Sequence, residues 1–467
     1  MESIVLYPTP AIGHLIAMVE LGKLILTSKP SLSIHILMTT APYDAGDTAP
    51  YIAAVSATNP SITFHHLPPV SLPPELLTAS AHIENRIMEV LHLNKPNVSQ
   101  ALVSISQTHT IHAFLVDFFC GSTLTVSADL NIPSYVFFTS AAAALAIFLY
   151  LPTLHKTIFP KSLKDLNNAL HSVPGVPPIP SLDMAKQYLD RHDKTYEYFL
   201  ESSIHVSRST GIIVNTFESL ESRAVKAITE GLCVPDHSTP PIYCVGPLIM
   251  TRQKTDLHSE CFKWLDSQPR QSVVFLCFGS LGVFSKEQLK EIAVGLERSG
   301  QRFLWVVRNR PSESPESSLD SLLPKGFLDR TRDRGLVVKN WAPQVEVLSH
   351  DSVGGFLTHC GWNSVLESVC AGVPMVAWPL YAEQRSNRVV LVEEIKIALP
   401  MNEYDKDGFV SADEVERRVI ELMTGSESGD SIRKRVLEMK DEARAALSDG
   451  GPSRVTLTKL TEFWKRW

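Results

Sequence analysis

The sequence predicts an α/β protein with two doubly wound parallel sheets, one in each half of its 467 residues. Short apolar runs alternate with amphipathic helical patterns, which is typical of strand–helix–strand units in parallel sheets. A polar segment, TRQKTDLHSE (251–260), separates the two halves, and a second series of buried strands begins after it with SVVFLCFGSLG (272–282). Gly450-Gly451-Pro452 then breaks the helical pattern before the last segment. The predicted parts are an N-terminal domain (1–245), a linker (246–262), a C-terminal domain (263–450) and a closing amphipathic helix (451–467).

Charge and composition limit the partners of this chain. The net charge is −7, which disfavours a surface that coats nucleic acid and favours small-molecule partners. The seven cysteines are scattered and form no C-x-x-C pair, as expected for free thiols in a reducing compartment, so we predict a cytoplasmic protein.

Membrane attachment and secretion are not predicted. The first residues, MESIVLYPTP, lack the basic start of a secretory signal peptide. The longest apolar run, at 141–152, is too short to cross a bilayer. We therefore predict no transmembrane segment.

His14 and Asp117 are the candidate catalytic pair of the first half. His14 opens the helix that follows the strand Ile4–Tyr7, and Asp117 ends the strand that begins at Ala113. Ligands of open α/β sheets bind at the carboxyl ends of strands, where both residues are predicted. By position alone, the pattern favours a polar first-turn residue for His14 over a functional one, and a helix cap for Asp117 at least as much as a functional residue. As a pair, an Asp that accepts from one imidazole nitrogen leaves the other nitrogen as a base.

Residues near this pair have two interpretations each. Phe118 and Phe119 would line an apolar pocket for an aromatic acceptor, although a Phe pair more often packs in a core. Thr139 or Ser140 would cap the helix that follows the strand at 134–138 or contact a ligand. The stretch from 39 to about 80 is predicted to be irregular and to carry binding loops, and 310–321 to be a polar surface loop.

The stretch from Trp341 to Gln384 predicts a nucleotide site. The apolar runs Val353–Thr358 and Val373–Trp378 flank a helical pattern over Trp362–Ala371, and the turn HCGWNS leads into that helix. A helix N-terminus favours phosphate because its dipole is positive there. Asn363 and Ser364 lie in the first turn of the helix, and Glu367 follows one turn later on the same face, where a carboxylate can accept hydrogen bonds from ribose hydroxyls. Ser280, at the end of an earlier strand, could also hold a phosphate. The glycines form no G-x-G-x-x-G, so a dinucleotide site is not supported.

The motif W-x-x-Q…H-C-G-W-N-S-x-x-E…P-x-x-A-E-Q, spread over this stretch, resembles the signature box of plant family 1 UDP-glycosyltransferases. The segments LCFGS, LYAEQRSNRV and DFFC are similar to the UGT88 group, whose members glycosylate flavonoids, chalcones and related phenols. The resemblance extends over the whole chain. It implies a GT-B fold, in which two Rossmann-like domains face a cleft, with the acceptor in the first domain, UDP-sugar in the second, and the closing helix on the first.

The resemblance also implies a role for each residue of the box. Trp341 would stack on uracil, whose edge would pair with the backbone of Ala342. The ribose would be held by Gln344 and Glu367, and the diphosphate by Ser280, His359, Asn363 and Ser364. The sugar would contact Trp362, Glu383, Gln384 and Thr139. Trp362 and Gln384 favour glucose, while Glu383 stands where many members have Asp.

The implied activity is an inverting, metal-independent transfer of glucose from UDP-glucose to a phenolic hydroxyl, with His14 as base and Asp117 as its partner. UDP-glucose is then a co-substrate, no cofactor is permanently bound, and we expect a monomer. Alternatives are C-glucosylation of an activated phenol ring and a non-catalytic nucleotide-sugar module, with an NAD-dependent oxidoreductase disfavoured. The acceptor and the position of transfer are not encoded in a recognisable pattern.

Overall fold

The computed structural model describes residues 1–42, 48–77, 83–250, 260–308, 319–402 and 408–464. Two compact units result, one formed by Met1–Met250 with Ala445–Trp467 and the other by Thr251–Arg444. Most of the predicted linker and of the predicted surface loop at 310–321 lies outside the described residues. The predicted domain boundaries stay a prediction.

The first unit is built on a seven-stranded sheet with the order β3-β2-β1-β4-β5-β8-β9 and a separate two-stranded pair. Its strands are β1 (Glu2–Tyr7), β2 (Ser33–Met38), β3 (Ile62–His66), β4 (Thr110–Asp117), β5 (Ser134–Phe138), β6 (Leu170–His171), β7 (Ile179–Pro180), β8 (Gly211–Val214) and β9 (Ile242–Cys244). Its helices up to residue 250 are α1 (Ile12–Ser28), α2 (Ala49–Thr58), α3 (Ile83–Leu93), α4 (Lys95–Ser106), α5 (Leu124–Asp129), α6 (Ala142–Thr157), α7 (Lys194–Val206) and α8 (Ser222–Thr229).

All pairings in the large sheet are parallel, so the carboxyl ends of its strands share one edge. The strand order runs outward from β1 in both directions, as in a doubly wound fold. The central strands of a parallel sheet are covered on both faces and are therefore mainly apolar. β5, for example, is entirely buried.

The prediction of an irregular stretch from 39 to about 80 is wrong in part. Residues Ala49–Thr58 form α2 and Ile62–His66 form β3, the edge strand beside β2. β3 buries only its first residue fully, so its sequence ITFHH lacks the apolar run of a central strand. Sequence pattern alone therefore missed a strand whose position is fixed by pairing with β2. Residues 43–47 and 78–80 of this stretch lie outside the described part.

The second unit holds a six-stranded parallel sheet with the order β12-β11-β10-β13-β14-β15. Its strands are β10 (Val273–Cys277), β11 (Arg302–Val307), β12 (Gly335–Lys339), β13 (Val353–Thr358), β14 (Met375–Ala377) and β15 (Ala398–Pro400). Its helices are α9 (Glu260–Asp266), α10 (Lys286–Ser299), α11 (Leu319–Leu322), α12 (Phe327–Thr331), α13 (Gln344–Leu348), α14 (Trp362–Ala371), α15 (Gln384–Val389), α16 (Ala412–Met423) and α17 (Glu427–Leu447). A separate apolar core fills this unit around Trp305, Phe303 and Trp378.

The last helix, α18 (Pro452–Phe463), packs on the first unit. Leu457, Leu460 and Trp464 are buried in the same apolar cluster as residues of β1 and α1. The Ser453 hydroxyl donates to the Gly246 carbonyl at 2.7 Å, which ties the start of the helix to the segment after β9. The apolar stripe of α18 is thus a part of the first core. Within the described ranges, no helix combines the length and the apolar character that a membrane crossing requires.

Candidate active site

His14 and Asp117 meet at the carboxyl edge of the first sheet. β1 and β4 are parallel neighbours in which Tyr7 lies opposite Val116, so the end of β4 and the start of α1 come together. His14 Nδ1 lies 2.7 Å from Asp117 Oδ2. The Asp117 side chain is fully buried, whereas a quarter of the His14 side chain is exposed. This geometry suits an imidazole that donates from Nδ1 to a carboxylate and works through Nε2.

Asp117 has donors on both carboxylate oxygens. Its Oδ1 accepts from the Thr9 hydroxyl at 2.7 Å and from the Phe119 backbone N–H at 3.1 Å. The second bond caps the short 3₁₀ turn Phe118–Thr123 that follows β4. Asp117 therefore acts as the helix cap that its position suggests and also holds His14. Both interpretations offered by the sequence describe the same side chain.

The surroundings of His14 are aromatic on one side. Its ring centroid lies 5.9 Å from that of Phe118 and 5.5 Å from that of Phe119. Phe119 in turn packs edge-on against Phe199 of α7 at 5.4 Å. Thr139, predicted to contact the sugar, is nearly buried, and its hydroxyl lies 3.2 Å from His14 Nδ1. The structure thus brings all five predicted residues of this unit, His14, Asp117, Phe118, Phe119 and Thr139, to one place.

In the second unit, α13 and α14 join three of the predicted residues. Gln344 Nε2 donates to Glu367 Oε2 at 2.6 Å and to the Ser364 hydroxyl at 2.8 Å. Part of the Glu367 side chain meets solvent, yet its carboxyl is surrounded by protein. This burial raises the pKa of Glu367 to about 7, and the hydrogen bond from Gln344 offsets part of the rise. Near neutral pH the Glu367 carboxyl therefore has both protonated and ionised forms, and the ionised form accepts hydrogen bonds as a carboxylate.

His359 lies in a cradle of two glycines. A Cβ atom on Gly279 or on Gly361 would come within 2.5 Å of His359 Nε2. Burial lowers the pKa of His359 to about 4, so the imidazole is neutral at pH 7. Its Nδ1 is buried and, among the described residues, makes no hydrogen bond. Such a ring, beside the N-terminus of α14 and its dipole, can offer N–H to an anion.

The remaining predicted residues differ in exposure. Trp341 is 63% exposed, which leaves a flat aromatic face on the surface, whereas Ala342 is buried. Gln384 is buried and its Oε1 accepts from the backbone N–H groups of Leu380 and Tyr381, each at 2.9 Å. The other predicted residues of this unit comprise exposed Ser280, buried Trp362, and half-buried Asn363 and Glu383.

Known proteins are similar to this chain over its whole length. The family model described as "UDP-glucoronosyl and UDP-glucosyl transferase" matches residues 203–414. An anthocyanidin 5,3-O-glucosyltransferase from a Rosa hybrid cultivar is 54% identical, with 100% of this chain and 99% of that protein covered. The chain belongs to the UDP-glycosyltransferase family. UDP-glycosyltransferase 88B1 of Stevia rebaudiana is 53% identical over 99% of both proteins, so the similarity to the UGT88 group is confirmed.

The fold of this UDP-glycosyltransferase is GT-B, as predicted. The structure of Phytolacca americana UGT2 with UDP-2fluoro-glucose and pterostilbene matches it with a TM-score of 0.89 and 39% identity, covering 100% of both chains. Two parallel-sheet units, described above, form the same architecture. The enzyme class is also confirmed, and its donor is a UDP-sugar, whereas the role of each site residue stays a prediction.

Sequence analysis of this UDP-glycosyltransferase missed Thr9. Its hydroxyl meets Asp117 across 108 residues of chain, and no local pattern marks that contact. The available signal was its position: Thr9 follows β1 directly, at the sheet edge where ligands of such folds bind.

Proposed function

We propose that this enzyme transfers glucose from UDP-glucose to a phenolic hydroxyl of a flavonoid, chalcone or related small aromatic acceptor, giving a β-O-glucoside. The observation that carries the proposal is the buried Asp117 carboxylate on Nδ1 of His14, with two Phe rings beside the imidazole. The anthocyanidin glucosyltransferase at 54% identity and the pterostilbene complex of the Phytolacca enzyme support an aromatic acceptor.

In this proposal, His14 Nε2 takes the proton of the acceptor hydroxyl. Asp117 holds the ring in the tautomer with the proton on Nδ1 and balances the charge of the imidazolium that forms. The deprotonated oxygen attacks the anomeric carbon from the face opposite UDP, so that the α-linked donor yields a β-glucoside. The oxocarbenium-like character of the transition state is shared with other glycosyl chemistry. Phe118 and Phe119 would hold the aromatic acceptor beside the base.

The second unit would hold the donor. We assign uracil to Trp341 and the backbone of Ala342, ribose to Gln344 and Glu367, and the sugar to Trp362, Glu383 and Gln384, with Thr139 from the first unit. The diphosphate would meet Ser280, His359, Asn363 and Ser364. These groups are neutral, so they stabilise the departing UDP by hydrogen bonds and the α14 dipole rather than by full charges. No step requires a metal ion, so activity should persist in EDTA.

The deciding experiment is an assay with UDP-glucose and a panel of flavonoids, chalcones and simple phenols, with the structure of each product determined. O-glucosides that release glucose in acid would support the proposal. Products that resist acid hydrolysis would instead identify C-glucosylation. Binding of UDP-glucose without turnover of any phenol would identify a non-catalytic module.

We also propose a cytoplasmic location and a monomeric state. All seven cysteines are free thiols in the structure, which suits a reducing compartment. Cell fractionation and sedimentation of the purified chain test the two statements separately.

A further inference from the structure

Thr9 donates a hydrogen bond to Asp117 that has no role in the proposed reaction so far. Both side chains are buried, Thr9 at 2% exposure and Asp117 at 0%. A buried carboxylate is costly unless its oxygens accept hydrogen bonds. Asp117 Oδ2 faces His14 Nδ1, while Oδ1 accepts from Thr9 and from the Phe119 N–H. The threonine therefore supplies the only side-chain donor to Oδ1 among the contacts that the described residues make with Asp117.

The backbone holds Thr9 in place for this contact. Thr9 stands between Pro8 and Pro10 directly after β1. A residue before proline is restricted to extended conformations, so the backbone at Thr9 has little conformational freedom. Its carbonyl also accepts from the Ala11 N–H at 2.7 Å, in the turn that leads to α1 and His14. The segment from Thr9 to His14 thus carries both the proposed base, His14, and the hydroxyl that binds its partner, Asp117.

We propose that Thr9 is a positioning residue for the transfer reaction, whose hydroxyl fixes the Asp117 carboxylate so that Oδ2 faces His14. The assignment rests on the proposed roles of His14 and Asp117. It differs from a purely structural role because the Thr9 hydrogen bond withdraws charge from the carboxylate. Loss of that bond leaves more negative charge facing the imidazole, which stabilises the imidazolium and raises the pH at which His14 takes up a proton.

The test replaces Thr9 with Val, which keeps the shape and removes the hydroxyl, and with Ser, which keeps the hydroxyl. We expect T9V to lower kcat about tenfold, since a hydrogen bond to a charged group has this magnitude. We also expect the acid limb of its kcat–pH profile to move to higher pH with KM for UDP-glucose unchanged. T9S should keep the wild-type profile. If T9V does not fold, Thr9→Ala serves in its place.

Thr123 provides a matched control. It is buried in the same turn, and its hydroxyl donates to the Cys120 carbonyl at 2.6 Å rather than to Asp117. T123V should lower thermal stability and leave the pH profile in place. An equal shift in T123V, or a wild-type profile in T9V, would overturn the role of Thr9.

A second measurement separates this proposal from the proposed function. NMR titration of labelled histidine, with His14 assigned through His14→Gln, reports the imidazole directly and needs no turnover. A higher pKa of His14 in T9V supports the role of Thr9 even if no phenol is glucosylated, and an unchanged titration rejects it. Absence of transfer by the wild-type enzyme would reject the proposed function alone.

Discussion

The two candidate half-sites differ in the charge of their buried ionisable side chains. In the first unit, a fully buried carboxylate, Asp117, receives hydrogen bonds on both oxygens and faces a histidine. In the second unit, burial lowers the pKa of His359 to about 4, so its ring is neutral at pH 7, and raises the pKa of Glu367 to about 7, so its carboxyl is less ionised at that pH than an exposed one. The first arrangement suits proton transfer. The second suits the proposed binding of an anionic nucleotide, because neutral hydrogen-bond donors and a helix dipole would hold the diphosphate.

The largest effect that can test this division is expected from His14→Ala. Without the base, kcat should fall by roughly 10³-fold, within the range of general base catalysis. Because the proposed donor site lies in the other unit, calorimetric binding of UDP should be unchanged. Turnover near the wild-type rate would reject His14 as the base, and loss of UDP binding would show that the two half-sites are not separable.

Trp341→Ala is expected to have the next largest effect, now on binding. Stacking of a base on an aromatic side chain contributes about 1–3 kcal/mol. Trp341 is 63% exposed, so its loss should leave thermal stability near that of the wild type while UDP affinity drops. Leu437→Ala, which truncates another exposed apolar residue of the second unit, serves as control and should bind UDP normally. Unchanged affinity in W341A would place uracil elsewhere.

Gly279→Ala tests the cradle of His359. Gly279 has φ +77°, and an added Cβ would come within 2.5 Å of His359 Nε2, so the ring must move. We expect UDP-glucose affinity to fall about tenfold, which corresponds to about 1.4 kcal/mol. Gly300→Ala is a matched control, since Gly300 has φ +65° and open space around its Cβ position. Both variants bear the cost of a left-handed conformation, about 1–2 kcal/mol, whereas only G279A should lose affinity.

The smallest effect is the pH dependence of donor binding through Glu367. Its carboxyl loses a proton near pH 7, and the carboxylate is the better acceptor for ribose hydroxyls. UDP-glucose affinity should therefore rise severalfold as pH increases through about 7, and E367Q should abolish this rise. Because folding raises the pKa of Glu367, the contribution of this carboxyl to the free energy of unfolding decreases as pH rises from 4.5 to about 7. E367Q should consequently be more heat-stable than the unliganded wild type at alkaline pH.

The strand and helix at the centre of the proposed donor half-site were predictable because they are local in sequence. Strand Val353–Thr358 and helix Trp362–Ala371 have the bounds that their apolar patterns indicate. Five of the predicted side chains lie at the end of this strand or on this helix, so their spacing along the chain determines their spacing in the fold: His359, Trp362, Asn363, Ser364 and Glu367. The others come from segments near the ends of other strands: Ser280, Trp341, Ala342, Gln344, Glu383 and Gln384. Local spacing does not give the contacts of Gln344 to Ser364 and Glu367, since they join two separate helices.

The first half-site was predictable only in outline. His14 and Asp117 were identified because parallel strands share a carboxyl edge, a rule that needs no contact to be known. The rule does not identify Thr9, because the hydrogen bond from Thr9 to Asp117 depends on side-chain rotamers that are set by packing. The edge strand β3 was missed for a related reason, as its half-exposed sequence gains its conformation from β2 rather than from its own pattern.

The docking of α18 has a consequence for how the protein is made. Leu457, Leu460 and Trp464 complete a core whose other members begin at Ile4. During synthesis, all of the second unit is translated before these residues are. Part of the apolar core of the first unit therefore stays exposed until α18 has left the ribosome. A chain released before α18 is made would expose apolar surface that a quality-control system can recognise.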